Sequence, residues 1–141
     1  MTILLAGKYW IGDPCYVLGH DHPELNFKWD EFCDYCFEDD STGRSNEGII
    51  DHQGIVFAHY RTAYGDGRYY DQYGNSYGVD AGMIGCIPYD KVSSIGDVEL
   101  NRLGHIHTFS CDFETSYHNG KIGFGKIIIP TGDSNEYEDE E

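Results

Sequence analysis

Apolar residues along this chain come in short runs that are broken every few positions by glycine, proline or aspartate, which is the rhythm of strands and turns. Residues 2–17 alternate such runs with Gly7, Gly12 and the Asp13-Pro14 turn, predicting two short strands that meet at a corner. Pro14 has no N–H to give and ends strand pairing there. Residues 18–26, with Gly19 and Pro23, predict a loop leading into a helix. The period then changes: Trp29, Phe32, Cys33, Cys36 and Phe37 fall at i, i+3, i+4, i+7 and i+8, while Asp30, Glu31, Asp34 and Glu38 lie off that face. This predicts one amphipathic helix. A polar stretch at 39–48 reads as a loop, and residues 54–64, with Ile55, Val56, Phe57 and Tyr60, as a strand. Residues 68–71 and 76–80 predict a hairpin closed by Tyr73-Gly74-Asn75, and 83–87 a short strand before Pro88. The segment 89–104 fits a helical turn at 98–103 or a loop. Residues 105–113 and 121–129 predict a last antiparallel hairpin, joined through Ser116-Tyr117-His118-Asn119-Gly120. Together these elements predict an α+β fold: a mainly antiparallel β-sheet or small β-sandwich with one packed amphipathic helix.

A length of 141 residues suits one globular domain, assigned to 1–132, and the aromatic share of 15% supplies enough bulk for a core. Residues 133–141 hold six acidic residues and no basic one, and read as a solvated, disordered tail. Net charge is −16, and −10 without that tail, a balance that repels phosphate backbones and anionic lipid alike. Direct nucleic-acid or membrane binding is therefore not expected. The start of the chain shows neither a basic leader nor a long apolar stretch, and no run approaches the ~20 residues of a spanning helix. The expectation is a soluble protein of the cytoplasm. Five cysteines spread from Cys15 to Cys111 are an odd set, read as free thiols in a reducing compartment.

Several clusters invite chemistry. Cys33-Asp34-Tyr35-Cys36 has the spacing of a zinc or thiol-exchange pair, but both sulfurs lie on the apolar helical face, where cysteine packs as a small hydrophobe. His20-Asp21-His22 and His105-x-His107 each set two imidazoles on one side of an extended chain, with Asp13, Cys15 or Cys111 as further ligands for a metal. The spacings match no established ligand pattern, so no metal and no cofactor is assigned. Asp66, Asp71 and Asp80 near Gly65 and Gly67 suggest calcium, against the simpler reading of a tight turn and strand ends. Cys15 after its proline turn could act with a histidine as nucleophile and base. No standard catalytic signature is present, and no catalytic residue is assigned.

Tyr60, Tyr64, Tyr69, Tyr70, Tyr73 and Tyr77 are six of the twelve tyrosines, set on a hairpin whose side chains alternate faces, so they cannot all point inward. Exposed tyrosines among carboxylates suit a protein contact, because tyrosine buries a large area at low entropic cost. The assigned partner-binding residues are Tyr64, Asp66, Tyr69, Tyr70, Asp71, Tyr73, Tyr77 and Asp80. The segments Gly7-Lys8-Tyr9-Trp10-Ile11-Gly12-Asp13-Pro14-Cys15-Tyr16, Thr62-Ala63-Tyr64-Gly65-Asp66-Gly67, Val79-Asp80-Ala81-Gly82-Met83-Ile84-Gly85 and Gly120-Lys121-Ile122-Gly123-Phe124-Gly125-Lys126-Ile127 occur in this order. In that arrangement the chain resembles a group of small, mostly uncharacterised proteins of tailed bacteriophages and some bacteria. The resemblance covers most of the chain and implies a phage-encoded accessory protein made in the bacterial cytoplasm. With the charge, it points to an acidic protein that binds and inhibits a bacterial host factor or defence component with a basic surface, such as a nuclease or protease, by charge mimicry. The alternatives are a virion or assembly component, or a small-ligand, nucleotide or metal-binding protein or enzyme built on the corner at Asp13 to Cys15 and the Gly65-Asp66-Gly67 turn.

Overall fold

Alternating side chains on the two central strands of the largest sheet organise the molecule. The computed structural model describes residues 3–17, 47–52 and 55–132. The predicted helix at 29–37, the loop at 18–26, nearly all of the loop at 39–48 and the acidic tail at 133–141 lie outside them. The described strands are β1 (Ile3–Leu4), β2 (Gly7–Gly12), β3 (Gly48–His52), β4 (Ile55–Arg61), β5 (Gly67–Tyr70), β6 (Ser76–Val79), β7 (Met83–Pro88), β8 (Gly104–Phe109), β9 (Phe113–His118), β10 (Lys121–Phe124) and β11 (Ile127–Pro130). One sheet has the order β3-β4-β7-β2-β8, a second β1-β9-β10-β11, and β5-β6 form a separate two-stranded ribbon. Every pairing is antiparallel. With the helix α1 (Asp97–Leu103), the fold is α+β and mainly antiparallel.

On β2, Tyr9 and Ile11 face one side and Trp10 the other; β7 likewise divides Ile84 and Cys86 from Met83 and Ile87. The first set meets Leu4, Phe113, Ile122, Phe124, Ile127 and Ile129 of the four-stranded sheet, together with Tyr69, Tyr77 and Val79 of the ribbon. The second set packs with Val17, Ile50, Phe57, Val92 and Leu100. The five-stranded sheet is therefore apolar on both faces, which explains the unbroken apolar runs on β2 and β7.

The last third departs from the predicted hairpin. The 105–113 run is two strands in two different sheets, β8 beside β2 and β9 beside β1. The chain changes sheet at 110–112, and Phe109 and Phe113 stack across that change with ring centroids 3.9 Å apart. Residues 116–118, expected in the turn, are strand, because Phe113, Thr115 and Tyr117 continue the inward alternation. The turn needs only Asn119 and Gly120, whose φ of 53° and 83° suit a two-residue hairpin loop. A further strand, β11, follows a second tight turn at Gly125 (φ 60°). The ambiguous segment at 89–104 resolves into two 3₁₀ turns, Tyr89–Lys91 and Ser93–Ile95, and α1. The strand β3 has only Ile49 and Ile50 as apolar residues and gave no strand signal in isolation.

Trp10 ties α1 to the sheet. Its Nε1–H donates to the Leu100 carbonyl at 2.7 Å, which also accepts the Gly104 N–H that closes the helix. The indole lies over Gly12 and Gly104, which face each other across β2 and β8. A Cβ on Gly104 would strike the Ile11 carbonyl and the indole. Gly104→Ala is expected to lower the unfolding free energy by about 2–3 kcal/mol in urea titrations, while Val98→Ala on the exposed side of α1 changes it by less than about 0.5 kcal/mol.

Candidate functional site

The corner after β2 is built around one carboxylate. Asp13 caps the 3₁₀ turn Pro14–Tyr16, with Pro14 at the first position where its missing N–H costs nothing. The fully buried Asp13 side chain accepts the Cys15 N–H on Oδ1 at 2.9 Å, and the Asp80 and Ala81 N–H groups on Oδ2, each at 2.7 Å. It thus joins the start of the chain to the turn between β6 and β7. Tyr16 adds a second tie, donating its hydroxyl to Asp80 Oδ2 at 2.5 Å.

The glycine turns join the same corner. Gly82, with φ 76°, presents its carbonyl to the Thr62 N–H at 2.9 Å, and the Thr62 hydroxyl donates to the Gly65 carbonyl at 2.6 Å. A Cβ on Gly82 would lie 3.8 Å from Gly65 Cα and 3.9 Å from Asp66 Oδ1, so the two turns sit side by side. The Ala63 N–H donates to Thr131 Oγ1, which donates in turn to the Gly120 carbonyl. All four sequence segments singled out above therefore meet through a chain of hydrogen bonds.

The eight assigned contact residues divide. Tyr64, Tyr70 and Tyr73 are 57%, 54% and 63% exposed, and Asp66 and Asp80 are exposed as well. Tyr69, Asp71 and Tyr77 are buried and offer no contact surface. Tyr69 packs into the core and donates its hydroxyl to the Gly65 carbonyl. Asp71 closes the β5-β6 turn, accepting the Tyr73 and Asn75 N–H groups, the Asn75 amide and the Tyr77 hydroxyl. Burial pushes its carboxyl up, but the donors from Tyr77, Asn75 and Tyr73 outweigh it and hold the group below its ordinary value. Asp71 is thus a turn-closing residue, held by protein donors on both oxygens.

The nucleophile reading of Cys15 is disfavoured by its surroundings. Burial, then the nearby carboxylates Asp13, Asp80 and Asp66, push its thiol well above the ordinary value, so it stays protonated. Asp13 is itself raised by burial, with the N–H donors and the Cys15 thiol pulling it only part of the way back. On β8, His105 Nε2 lies 3.0 Å from the Ser76 carbonyl and His107 Nε2 lies 3.0 Å from the Tyr77 hydroxyl, so both rings bind the ribbon. Among the described residues no group of three or more His, Cys, Asp or Glu side chains is placed to hold a metal ion. His20, His22, Cys33 and Cys36 lie outside them.

One feature had no signal in the sequence. A groove of about 480 Å³, lined mainly by Ile3, Leu4, Leu5, Tyr9, Val56 and Pro88, opens between β1 and residues of β2, β4 and the end of β7. These residues are scattered over the first 91 positions, on and around β1, β2, β4 and the end of β7, and only the fold brings them together. No helix among the described residues is long and apolar enough to cross a membrane. No protein-family model, curated protein or solved structure matches this chain.

Thiol chemistry tests the electrostatics of the corner. Among the three described cysteines, with iodoacetamide and site-by-site mass spectrometry, exposed Cys111 is expected to react first, Cys15 at least about tenfold more slowly, and buried Cys86 only on unfolding. A Cys15 that reacts as fast as Cys111 contradicts the carboxylate-ringed assignment.

Proposed function

We propose that the protein is an acidic, phage-encoded binding protein of the bacterial cytoplasm, which docks on a basic surface of a host factor or defence component and inhibits it. The observation that carries this reading is the corner itself: Asp66, Asp80 and Tyr64 stand exposed on neighbouring turns, that of Asp80 tied by Asp13 and that of Tyr64 and Asp66 by the Thr62 and Tyr69 hydroxyls on the Gly65 carbonyl. Tyr70 and Tyr73 extend the outward set along the ribbon. A contact of this composition combines aromatic area with negative potential on a preorganised backbone, so little ordering entropy is lost on docking.

Charge is divided unevenly between this surface and the rest of the chain. The described residues hold eleven acidic and seven basic side chains, a net of −4, so residues 18–46 and 133–141 carry most of the −16. On this reading those segments provide long-range attraction, which speeds encounter and weakens with salt, while the corner and ribbon provide short-range fit. Asp71 takes no part in the contact.

The test is affinity purification from bacterial lysate at low salt, followed by titration of the purified captured protein against variants. Asp66→Lys with Asp80→Lys is expected to weaken binding at least about tenfold while the fold, read by circular dichroism, is kept. Removing 133–141 is expected to slow association and flatten its salt dependence, with little effect on dissociation. Unchanged affinity in the doubly reversed variant overturns the proposal.

A further inference from the structure

Strand β1 ends the four-stranded sheet, with β9 on one side and no described strand on the other. Register decides which of its backbone groups face that open side. The Gly125 N–H donates to the Glu114 carbonyl at 2.8 Å, so Glu114 turns toward β10 and the preceding Phe113 turns toward β1. Leu4 lies opposite Phe113 and exchanges the ladder bonds with it, which points the N–H and C=O groups of Ile3 and Leu5 away from β9. The Leu5 carbonyl takes the Tyr9 hydroxyl at 2.8 Å. Both groups of Ile3 and the Leu5 N–H are left facing the opening.

This edge borders the apolar groove, since Tyr9 both binds Leu5 and lines it. Ile3, Leu5 and Val56 are 46%, 69% and 39% exposed, so aliphatic surface is available there. The groove lies where β2 and β4 begin and β7 ends, the opposite end of these strands from the Asp13 corner. Carboxylates surround it. Asp90 lines it, Asp51 sits opposite Val56, Glu114 sits opposite Ile3, and Asp112 accepts the Ala6 N–H. None of these four forms an ion pair among the described residues. The nearby cations are Lys91, which also lines the groove, and Lys8, whose ammonium lies over the Tyr89 ring. The surroundings are therefore negative.

We propose that the groove receives an extended, basic segment of a partner protein, which adds to β1 as a further strand. In strand addition the main chain supplies the bonds and alternate side chains supply the selectivity. A residue opposite Leu4 shares its inward face and enters the groove toward Tyr9, Val56 and Pro88, so it is apolar. Residues opposite Ile3 and Leu5 lie on the outer face, which Glu114 shares with Ile3, so they are Lys or Arg. A second copy of this chain would bring the same excess of carboxylates to the edge and be repelled. No residue is shared with the corner of Asp66, Asp80 and Tyr64, so this inference and the function proposed above fail separately.

The experiment is an NMR titration of the backbone amides of the full chain with the peptide acetyl-Lys-Val-Lys-Val-Lys-amide at low salt. The Ile3 and Leu5 amides are expected to move on one curve with a Kd of about 1 mM, while those of Cys15, Asp80 and Ala81 stay in place. The peptide with Glu for every Lys is expected to bind at least about tenfold more weakly. Lysine amides face β1 in this register, so N-methylation of the lysines is expected to abolish binding and N-methylation of the valines to spare it. Val56→Lys is expected to weaken the lysine peptide at least about tenfold, and the peptide comparisons decide the matter on the unaltered protein if that variant folds poorly. Unmoved Ile3 and Leu5 amides at about 5 mM peptide, equal binding of the two peptides, or indifference to which amides are methylated would overturn the inference. So would shifts of these amides that grow with protein concentration alone, which would make a second copy the occupant.

Discussion

Asp13 accepts backbone N–H groups from two places 65 residues and more apart, at Cys15 and at Asp80 and Ala81, and the rest of the corner depends on that arrangement. Each of these N–H groups faces away from a sheet ladder, and leaving one buried without an acceptor costs about 1–3 kcal/mol. A carboxylate offers enough lone pairs to take all three, which a serine or asparagine cap at the same turn does not. Its burial is costly in its own right, as the upward push on its titration shows. The gain is geometric: the end of β2, the ribbon's exit turn and the start of β7 are fixed relative to one another. Asp80 inherits its position from that constraint, and the turn of Tyr64 and Asp66 is tied to it through Thr62, which binds the Gly82 and Gly65 carbonyls.

Two cores share the five-stranded sheet, and the elements around it differ in how they are attached. The four-stranded sheet and α1 are joined by large buried side chains, with Trp10 reaching the end of α1 and Phe109 stacked on Phe113. The ribbon is joined by Tyr69, Tyr77 and Val79 in the core and by polar contacts, two of them to histidines. It is also the unit that carries Tyr70 and Tyr73 outward.

Alternation and turn chemistry were legible wherever an element was bounded by its own residues. The β5-β6 hairpin and the strands at 55–61 and 83–88 lie close to where their apolar residues and glycines place them. The corner at Asp13-Pro14 was legible too, because a proline cannot continue a central strand. What stayed hidden depended on partners distant in sequence. The change of sheet at 110–112 leaves no local mark, since Phe109 and Phe113 look like two positions of one apolar run until their sheets are known. The burial of Tyr69 and Tyr77 followed from which side of the ribbon meets the core, a choice that twofold alternation leaves open. Asp13 was visible only as part of a turn; its role in holding residues 80 and 81 requires the fold.

The most direct test of this account is a pH titration of the backbone amides by NMR. The Cys15, Asp80 and Ala81 amide resonances are predicted to shift together with a single midpoint above the ordinary aspartate value of about 3.9, and to lose that common transition in Asp13→Asn. Amides that titrate separately, or a shared transition that survives the substitution, would show that Asp13 does not hold the corner together.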